Sequence, residues 1–372
     1  MLLLINRHAD EVVCRLHPGT KGCEYFMWDE EAGVPDRVTL ADVAESVGVS
    51  VMTVSNVLRG KPGASEATRR RVMAASERMG YAPNVSARSL KGGRTGLIGV
   101  VALDLTSQYA LEIVRGIADE LATVEYEVLI SATYQDSVRE RERVEFLARG
   151  PVDGLLLIAP VLEQHTEATL RQRHRPFVVI DPRRLDVKVP RVTVDNYHGM
   201  RAAAQHVIDL GHKQIAYIGG DADFDSSARR YQGFHDAMQL ADIRIDPALV
   251  AACDFTYACG FRTASQLLAE HSPTAIVAGA DLIALGAVDA ARSLGLSVPA
   301  QVSVVGFDDI PQAAQSFPGL TTVRQPLHDM GQTAARALLA QIEGSPAVLE
   351  QMQLPTELLV RGTTAPPPAA ER

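Results

Sequence analysis

Cysteine is scarce in this chain of 372 residues, with four in all, Cys14, Cys23, Cys253 and Cys259. They are too few and too scattered for a disulfide framework, and no C-x-x-C pair is present to hold zinc or run dithiol chemistry. All four read as buried or incidental thiols. Long apolar runs are missing too. The stretch Met1 to Ile5 is far shorter than a membrane span or a signal-peptide core, and Arg7 closes it, so the chain reads as cytoplasmic with no membrane partner. There is no G-x-x-x-x-G-K-[ST] phosphate loop, no G-x-G-x-x-G after a strand and no G-x-S-x-G elbow, which leaves those nucleotide-dependent and hydrolase chemistries unsupported. Ten histidines are present, but His198, His206 and His212 follow no metal-ligand spacing and read as capping or surface residues. The sequence therefore predicts no enzyme, no metal and no cofactor.

What is present is ordinary for a folded chain: 47% hydrophobic and 22% charged residues and a mean hydropathy of +0.02. The length predicts two or three domains, each with its own core. A net charge of -9 argues at first against a polyanionic partner, but the charge is segregated. Residues 1–36 carry -4, residues 95–372 carry -11, and residues 37–94 carry +6. A compact basic module on an acidic body fits nucleic-acid binding, although charge alone equally describes a solvated helical face.

Within the basic module, Thr39 and Asp42 form a capping-box pattern ahead of a helix over about 40–47. Gly48 supplies the turn, and Ser50 caps a second helix running to about Leu58. Ala44 is the small residue at the helix crossing, and Val43, Val47, Val49, Val54 and Leu58 are the apolar faces. This is a helix-turn-helix whose second helix presents Val51, Met52, Ser55, Asn56 and Arg59 outward. Ser65 caps a third helix through about Met79, with Arg69, Arg70, Arg71 and Arg78 toward solvent. Gly80 and Pro83 end it. Asn84 then caps a segment, V-S-A-R-S-L-K, too short to hold as an isolated helix and so ordered only against a partner.

The run from Val38 through A-R-S-L-K to I-G-V-V resembles the lactose-repressor (LacI/GalR) family of bacterial transcription regulators. The resemblance implies a helix-turn-helix head (37–83) with its second helix in the major groove of double-stranded DNA, and a hinge (84–94) that folds in pairs in the minor groove of a pseudo-palindrome, at a central C-G step. Val51, Met52, Ser55 and Asn56 would then face base edges. Thr39, Thr53 and basic side chains such as Arg59 would sit on phosphates, and the hinge would bring Asn84, Ala87, Arg88 and the wedging Leu90. Residues 1–36 match nothing in the family. They read as a disordered upstream extension, with Met27 as the expected true start.

Beyond Thr95, short apolar runs alternate with helical patterns: G-L-I-G-V-V-A-L, Y-E-V-L-I-S-A-T, D-G-L-L-L-I-A-P, P-F-V-V-I-D, Q-I-A-Y-I-G-G, T-A-I-V-A-G-A-D and V-S-V-V-G-F-D-D. Runs of this kind are strands buried on both faces in a parallel sheet. Ala110, Ile113, Val114, Ile117, Ala118 and Leu121 mark a helix packed on it. The fold class is an all-α helix-turn-helix head plus hinge helix, then an α/β body of βαβ units whose length fits two layers. Polar residues at the strand ends, Asp104, Thr133, Tyr134, Asp181, Asp281, Asp308 and Asp309, converge on one sheet edge and describe a cleft.

The body, 95–363, resembles the family's effector domain, a two-lobed fold shared with periplasmic sugar-binding proteins. V-D-N-Y-H-G, R-Y-Q-G-F, G-A-D-L-I-A-L-G-A and V-S-V-V-G-F-D-D-I carry the resemblance. It implies an N-lobe of about 95–194 and 325–354 and a C-lobe of about 196–323 and 355–363. The effector contacts carried over are Asp104, Tyr109, Tyr134 and Asp181 from the first lobe and Arg230, Phe255, Asp281 and Asp308 from the second. Where many relatives have Asn before Asp281, this chain has Ala280. A carbohydrate effector suits carboxylates and an arginine beside an aromatic face, with a nucleobase or phosphosugar as alternatives. A solute-binding protein without DNA activity is the rival reading, opposed by the head. The tail after Gly362 has no leucine heptads and reads as disordered over 364–372, which predicts a homodimer rather than a tetramer.

Overall fold

A computed structural model describes residues 38–58, 62–81, 94–124, 126–134, 136–150, 152–162, 164–184, 189–344 and 351–369. The extension 1–36 lies outside the described residues, and so do the expected contacts Arg59, Asn84, Ala87, Arg88 and Leu90. The chain divides into two units near residue 88.

In the first unit, α1 (Leu40–Val47), α2 (Val51–Leu58) and α3 (Glu66–Arg78) form the head. Its helix starts are fixed by local bonds. The Thr39 hydroxyl accepts from the Asp42 amide and the Asp42 carboxylate accepts from the Thr39 amide at 2.7 Å. Those bonds hold the Asp42 carboxyl below its ordinary range. Ser50 and Ser65 accept from the Thr53 and Thr68 amides at 3.1 and 3.2 Å. Gly48, at φ 68°, takes the left-handed turn between α1 and α2. Val43, Ala44, Val47, Val54, Val57, Val72 and Ala75 close a small core. Two arginines expected in solvent have second tasks: Arg71 donates to the Val47 carbonyl at 2.6 Å and Arg69 to that of Val57 at 3.4 Å. Each thereby caps the carboxyl end of a neighbouring helix.

The second unit runs β1 (Leu97–Ala102), α4 (Gln108–Ala122), β2 (Glu127–Ala132), α5 (Ser137–Ala148), β3 (Gly154–Ile158), α6 (Gln164–Gln172), β4 (Phe177–Ile180), β5 (Arg191–Val194), α7 (Asn196–Asp209), β6 (Ile215–Gly219), α8 (Asp225–Leu240), β7 (Val250–Ala252), α9 (Tyr257–His271), β8 (Ala275–Ala278), α10 (Asp281–Ser293), β9 (Ser303–Asp308), α11 (Pro311–Gln315), β10 (Thr321–Arg324), α12 (Leu327–Ile342), β11 (Gln351–Leu354) and β12 (Glu357–Leu359). Two sheets result. The first, ordered β11-β5-β4-β3-β1-β2, is parallel throughout. The second, β12-β10-β9-β8-β6-β7, is parallel except where β12 pairs with β10. The chain crosses between lobes after β5, after β10 and after β11, and α12 packs back on the first lobe with Leu327, Met330, Ala334 and Leu338 in its core. That packing is close because Gly116 of α4 and Gly331 of α12 each face the other helix's backbone, where a Cβ would not fit.

Four features of the body differ from the sequence expectations. The β2 run is an edge strand rather than one buried on both faces, with Leu129 and Ile130 exposed, because only β1 pairs with it. Ala118 faces outward while the rest of its helical stripe is buried. Residues 364–369 are an ordered strap on the second lobe: the Ala365 amide donates to the Ser303 hydroxyl at 3.0 Å, and the Ala365 carbonyl lies 2.8 Å from His212 Nε2. His212 is accordingly buried, not on the surface.

Candidate functional sites

On the head, Val51 and Met52 are 40% and 58% exposed at the start of α2, a pair of apolar side chains on the outer face of a capped helix. Asn56 and Thr53 are half-buried, and Thr39 is exposed while its hydroxyl donates to Asp42 at 2.8 Å. Ser55 departs from the expectation. It is buried, because α2 packs against both α1 and α3 and so hides a wider arc than an outer helix would.

Between the two lobes of the body lies a cavity of about 220 Å³. The first lobe lines it with Leu103, Asp104, Thr106, Ser107, Gln108, Tyr109, Ala159 and Asp181, the second with Phe224, Ser226, Arg230, Asp254 to Tyr257, Ala280, Leu282, Asp308 and Ile310. Both lips use one device. Asp104 accepts from the Thr106 amide and hydroxyl, each at 2.8 Å, and Asp254 accepts from the Thr256 amide and hydroxyl at 3.1 and 2.6 Å. Each Asp-x-Thr turn leads into a helix, α4 or α9, so both carboxylates are held at a strand-to-helix junction. Ala159, Asp181, Phe255 and Asp308 have φ of 49°, 48°, 62° and 125°. Left-handed backbone at four non-glycine cavity residues costs about 1–3 kcal/mol each and marks a rigid wall built for something other than stability.

Arg230 is the cavity's electrostatic centre. It is 3% exposed, donates to Asn196 Oδ1 at 2.8 Å and to the Gly279 carbonyl at 2.6 Å, and stands 3.6 Å from Asp308. Its guanidinium also lies 3.9 Å from the centre of the Phe307 ring, a cation–π contact. Asp308 takes a further bond from Gln325. Burial lifts the Asp308 carboxyl to about 6 against the pull of Arg230. Asp181 is raised for the same reason, and Tyr109, which donates to it at 2.8 Å, has its phenol pushed well above the usual range by burial and by that carboxylate.

The structure brings six of the eight expected effector residues to this cavity, Asp104, Tyr109, Asp181, Arg230, Phe255 and Asp308. Two lie elsewhere. Tyr134 is 59% exposed, in the turn after the edge strand β2. Asp281 is fully buried below the cavity wall, accepting from the Ile310 amide at 2.9 Å and from the Thr322 hydroxyl, so it anchors the β9–α11 turn. Sequence reasoning missed Thr106, Ser107, Gln108, Phe224, Ser226 and Tyr257. The repeated Asp-x-Thr at 104–106 and 254–256 was a usable signal for some of them, whereas nothing local marks Phe224. The cysteines also depart from expectation: Cys253 and Cys259 are joined in a disulfide. Among the described residues no group of His, Cys, Asp and Glu is arranged to hold a metal ion, and no helix is long and apolar enough to cross a membrane.

A capped helix-turn-helix, followed in the same chain by two α/β lobes around a polar cavity, defines a ligand-responsive transcription regulator. Comparison with known proteins agrees. The model of bacterial regulatory proteins of the lacI family matches residues 39–84, and that of a periplasmic binding protein-like domain matches 204–364. The chain is 36% identical over 88% of its length to the HTH-type transcriptional regulator MalR of Streptomyces coelicolor, covering 97% of it. It is 32% identical over 89% to the HTH-type transcriptional repressor PurR of Escherichia coli, covering 98%. Among solved structures, a lac repressor dimer bound to operator and the anti-inducer ONPF aligns with a TM-score of 0.79 at 31% identity, over 88% of this chain and 99% of that one. A complex of the transcriptional regulator CelR with cellobiose aligns at 0.68 and 32%, over 88% and 100%. The chain belongs to the lacI family of transcription regulators.

Proposed function

We propose that this regulator is a homodimeric repressor that binds a pseudo-palindromic operator and whose DNA affinity is set by a neutral sugar held between the lobes. The charge of the cavity lining carries the sugar assignment. Asp104, Asp181, Asp254 and Asp308 line the cavity together with Arg230, which supplies the one guanidinium among the described lining residues and already serves Asn196, Gly279 and Asp308. A phosphosugar would add negative charge to a wall rich in it. The hydroxyls of a neutral sugar donate to carboxylates, while Phe224, Phe255 and Tyr257 offer apolar faces for the ring. The solved complex of CelR with cellobiose supports the same class of ligand.

Three segments cross between the lobes, so a ligand gripped by Asp181 on one side and Arg230 and Asp308 on the other favours one lobe arrangement over another. The first lobe receives the chain from the hinge, and its arrangement in a dimer sets whether two hinge segments, Leu90 among them, fold together at the operator's central C-G step. On the head, Val51 and Met52 contact bases and Asn56 pairs with adenine, while Thr39, Thr53 and Arg59 hold phosphates. Phe317, 89% exposed on the second lobe, and Leu129 and Ile130, on the edge of the first, are apolar surface suited to a second copy. DNA binding places the protein in the cytoplasm with the nucleoid. The test is fluorescence anisotropy with labelled palindromes carrying a central C-G step, across a sugar panel that includes cellobiose and ribose. One sugar should shift operator affinity by about tenfold or more. Failure to bind any such palindrome would contradict the repressor reading.

A further inference from the structure

Cys253 directly follows β7 and Cys259 lies in the first turn of α9, with their Cα atoms 5.7 Å apart and their sulfurs bonded. Of the residues the bond encloses, Asp254, Phe255, Thr256 and Tyr257 all line the cavity. The disulfide is thus the closure of one cavity wall. Phe255 holds a left-handed backbone at φ 62°, sets its ring edge-on to Phe224 at 5.3 Å, and covers Gly220, where a Cβ would have no room. A conformation of that kind persists only where its surroundings impose it, and the six-residue spacing between the bonded cysteines supplies the constraint. The Thr263 hydroxyl, one turn along α9, lies 3.6 and 3.8 Å from the two sulfurs. Disulfide sulfurs carry no hydrogen, so Thr263 is the donor there.

We propose that Cys253 and Cys259 form a reversible thiol–disulfide modification site that sets the affinity of the cavity, the oxidised form binding its ligand more tightly. The reactant class is a low-molecular-weight disulfide. Cys259 is half-buried and Cys253 is buried, so the Cys259 thiolate attacks the small disulfide, forms a mixed disulfide and releases one small thiolate. The Cys253 thiolate then attacks the Cys259 sulfur, closes the bond across the loop and releases the second. Two electrons pass from the cysteine pair to the small disulfide, and the two cysteine protons end on the two released thiols. Small thiols in excess run both steps backward. In a reducing compartment a pair that small thiols reach through half-buried Cys259 is a sensor rather than a staple. Opening it frees 254–257, lets Phe255 leave its strained backbone and removes the preformed wall that a ligand otherwise meets ready-made.

The inference rests on the cavity being the effector site, and the experiment separates the two. The full chain carrying Cys14→Ser and Cys23→Ser, which leaves this pair as its only cysteines, is equilibrated in glutathione mixtures from reduced to oxidised. Three quantities are read: the Cys253–Cys259 bond by alkylation and peptide mapping, amide exchange across 254–258, and binding of cellobiose and ribose by calorimetry. The bond should form and open reversibly, with exchange across 254–258 about tenfold slower in the oxidised form and any bound sugar held about tenfold more tightly. A further Cys259→Ser substitution should fix exchange at the reduced value in every mixture. Thiols that stay free throughout, a bond that never opens in reduced glutathione, equal exchange in the two forms, or a sugar held equally tightly by both would each overturn the proposal. Redox-dependent exchange without binding of either sugar would uphold the cysteine site and count against the sugar.

Discussion

The outward side chains of the head and the inward side chains of the cavity are held by different means. Val51 and Met52 stand exposed on a helix fixed by Ser50 and by a seven-residue buried core. Arg230 and Asp308 are buried, each tied to partners from distant parts of the chain, such as Asn196, Gly279 and Gln325. The head therefore presents a solvated basic surface that owes its shape to local bonds. The cavity is a preformed polar wall that owes its shape to long-range ones. Screening by salt, response to pH and the cost of a single substitution should all divide along that line.

The largest effect is expected at Arg230. Arg230→Met removes the cation beside the buried Asp308 and the donor to Asn196 Oδ1 and the Gly279 carbonyl, and breaking a buried pair in this way costs about 3–5 kcal/mol. Urea denaturation should show the body losing that stability and the cavity losing sugar binding. Equal stability would mean that the network is not what holds the wall. Next comes pH. The Asp308 carboxyl titrates at about 6 when folded against roughly 3.9 unfolded, so folding favours its protonated form. Stability should fall as pH rises from ~4 to ~6 and level off above, the unfolded state having given up its proton first. Asp181 and Asp281, also raised by burial, act in the same direction. Asp308→Asn should flatten part of that slope, and a slope unchanged by it would assign the titration to its neighbours. The smallest effect belongs to the head. Thr39→Ala removes one half of a capping box and should cost about 1 kcal/mol, visible as faster amide exchange over 40–47 with no change in the body.

The same division governs what could be read from sequence. Thr39, Gly48, Ser50 and Ser65 act on residues within a few positions of themselves, so the three head helices were legible almost to the residue. Ser55 was not, because its burial depends on α3 as well as α1. In the body, unbroken apolar runs announced even the four-residue strands β4 and β8, while β5, β10, β11 and β12 include polar residues in their three or four positions and β7 has only three, so none of these five stands out as a run. Asp281 and Asp308 look alike as acids at strand ends. Only the path of β9 and β10 beside them turns one into a buried anchor and leaves the other facing the cavity. The tail resembled a loose end because its partners, His212 and Ser303, lie 62 or more residues away.

Salt tests the division most directly. Operator affinity and sugar affinity are to be measured on one preparation of the full chain over a range of salt concentrations. The account predicts that log operator affinity falls steeply with log salt, as phosphate contacts by a basic head release counterions, while sugar affinity stays nearly level. Equal slopes, or an operator affinity indifferent to salt, would contradict it.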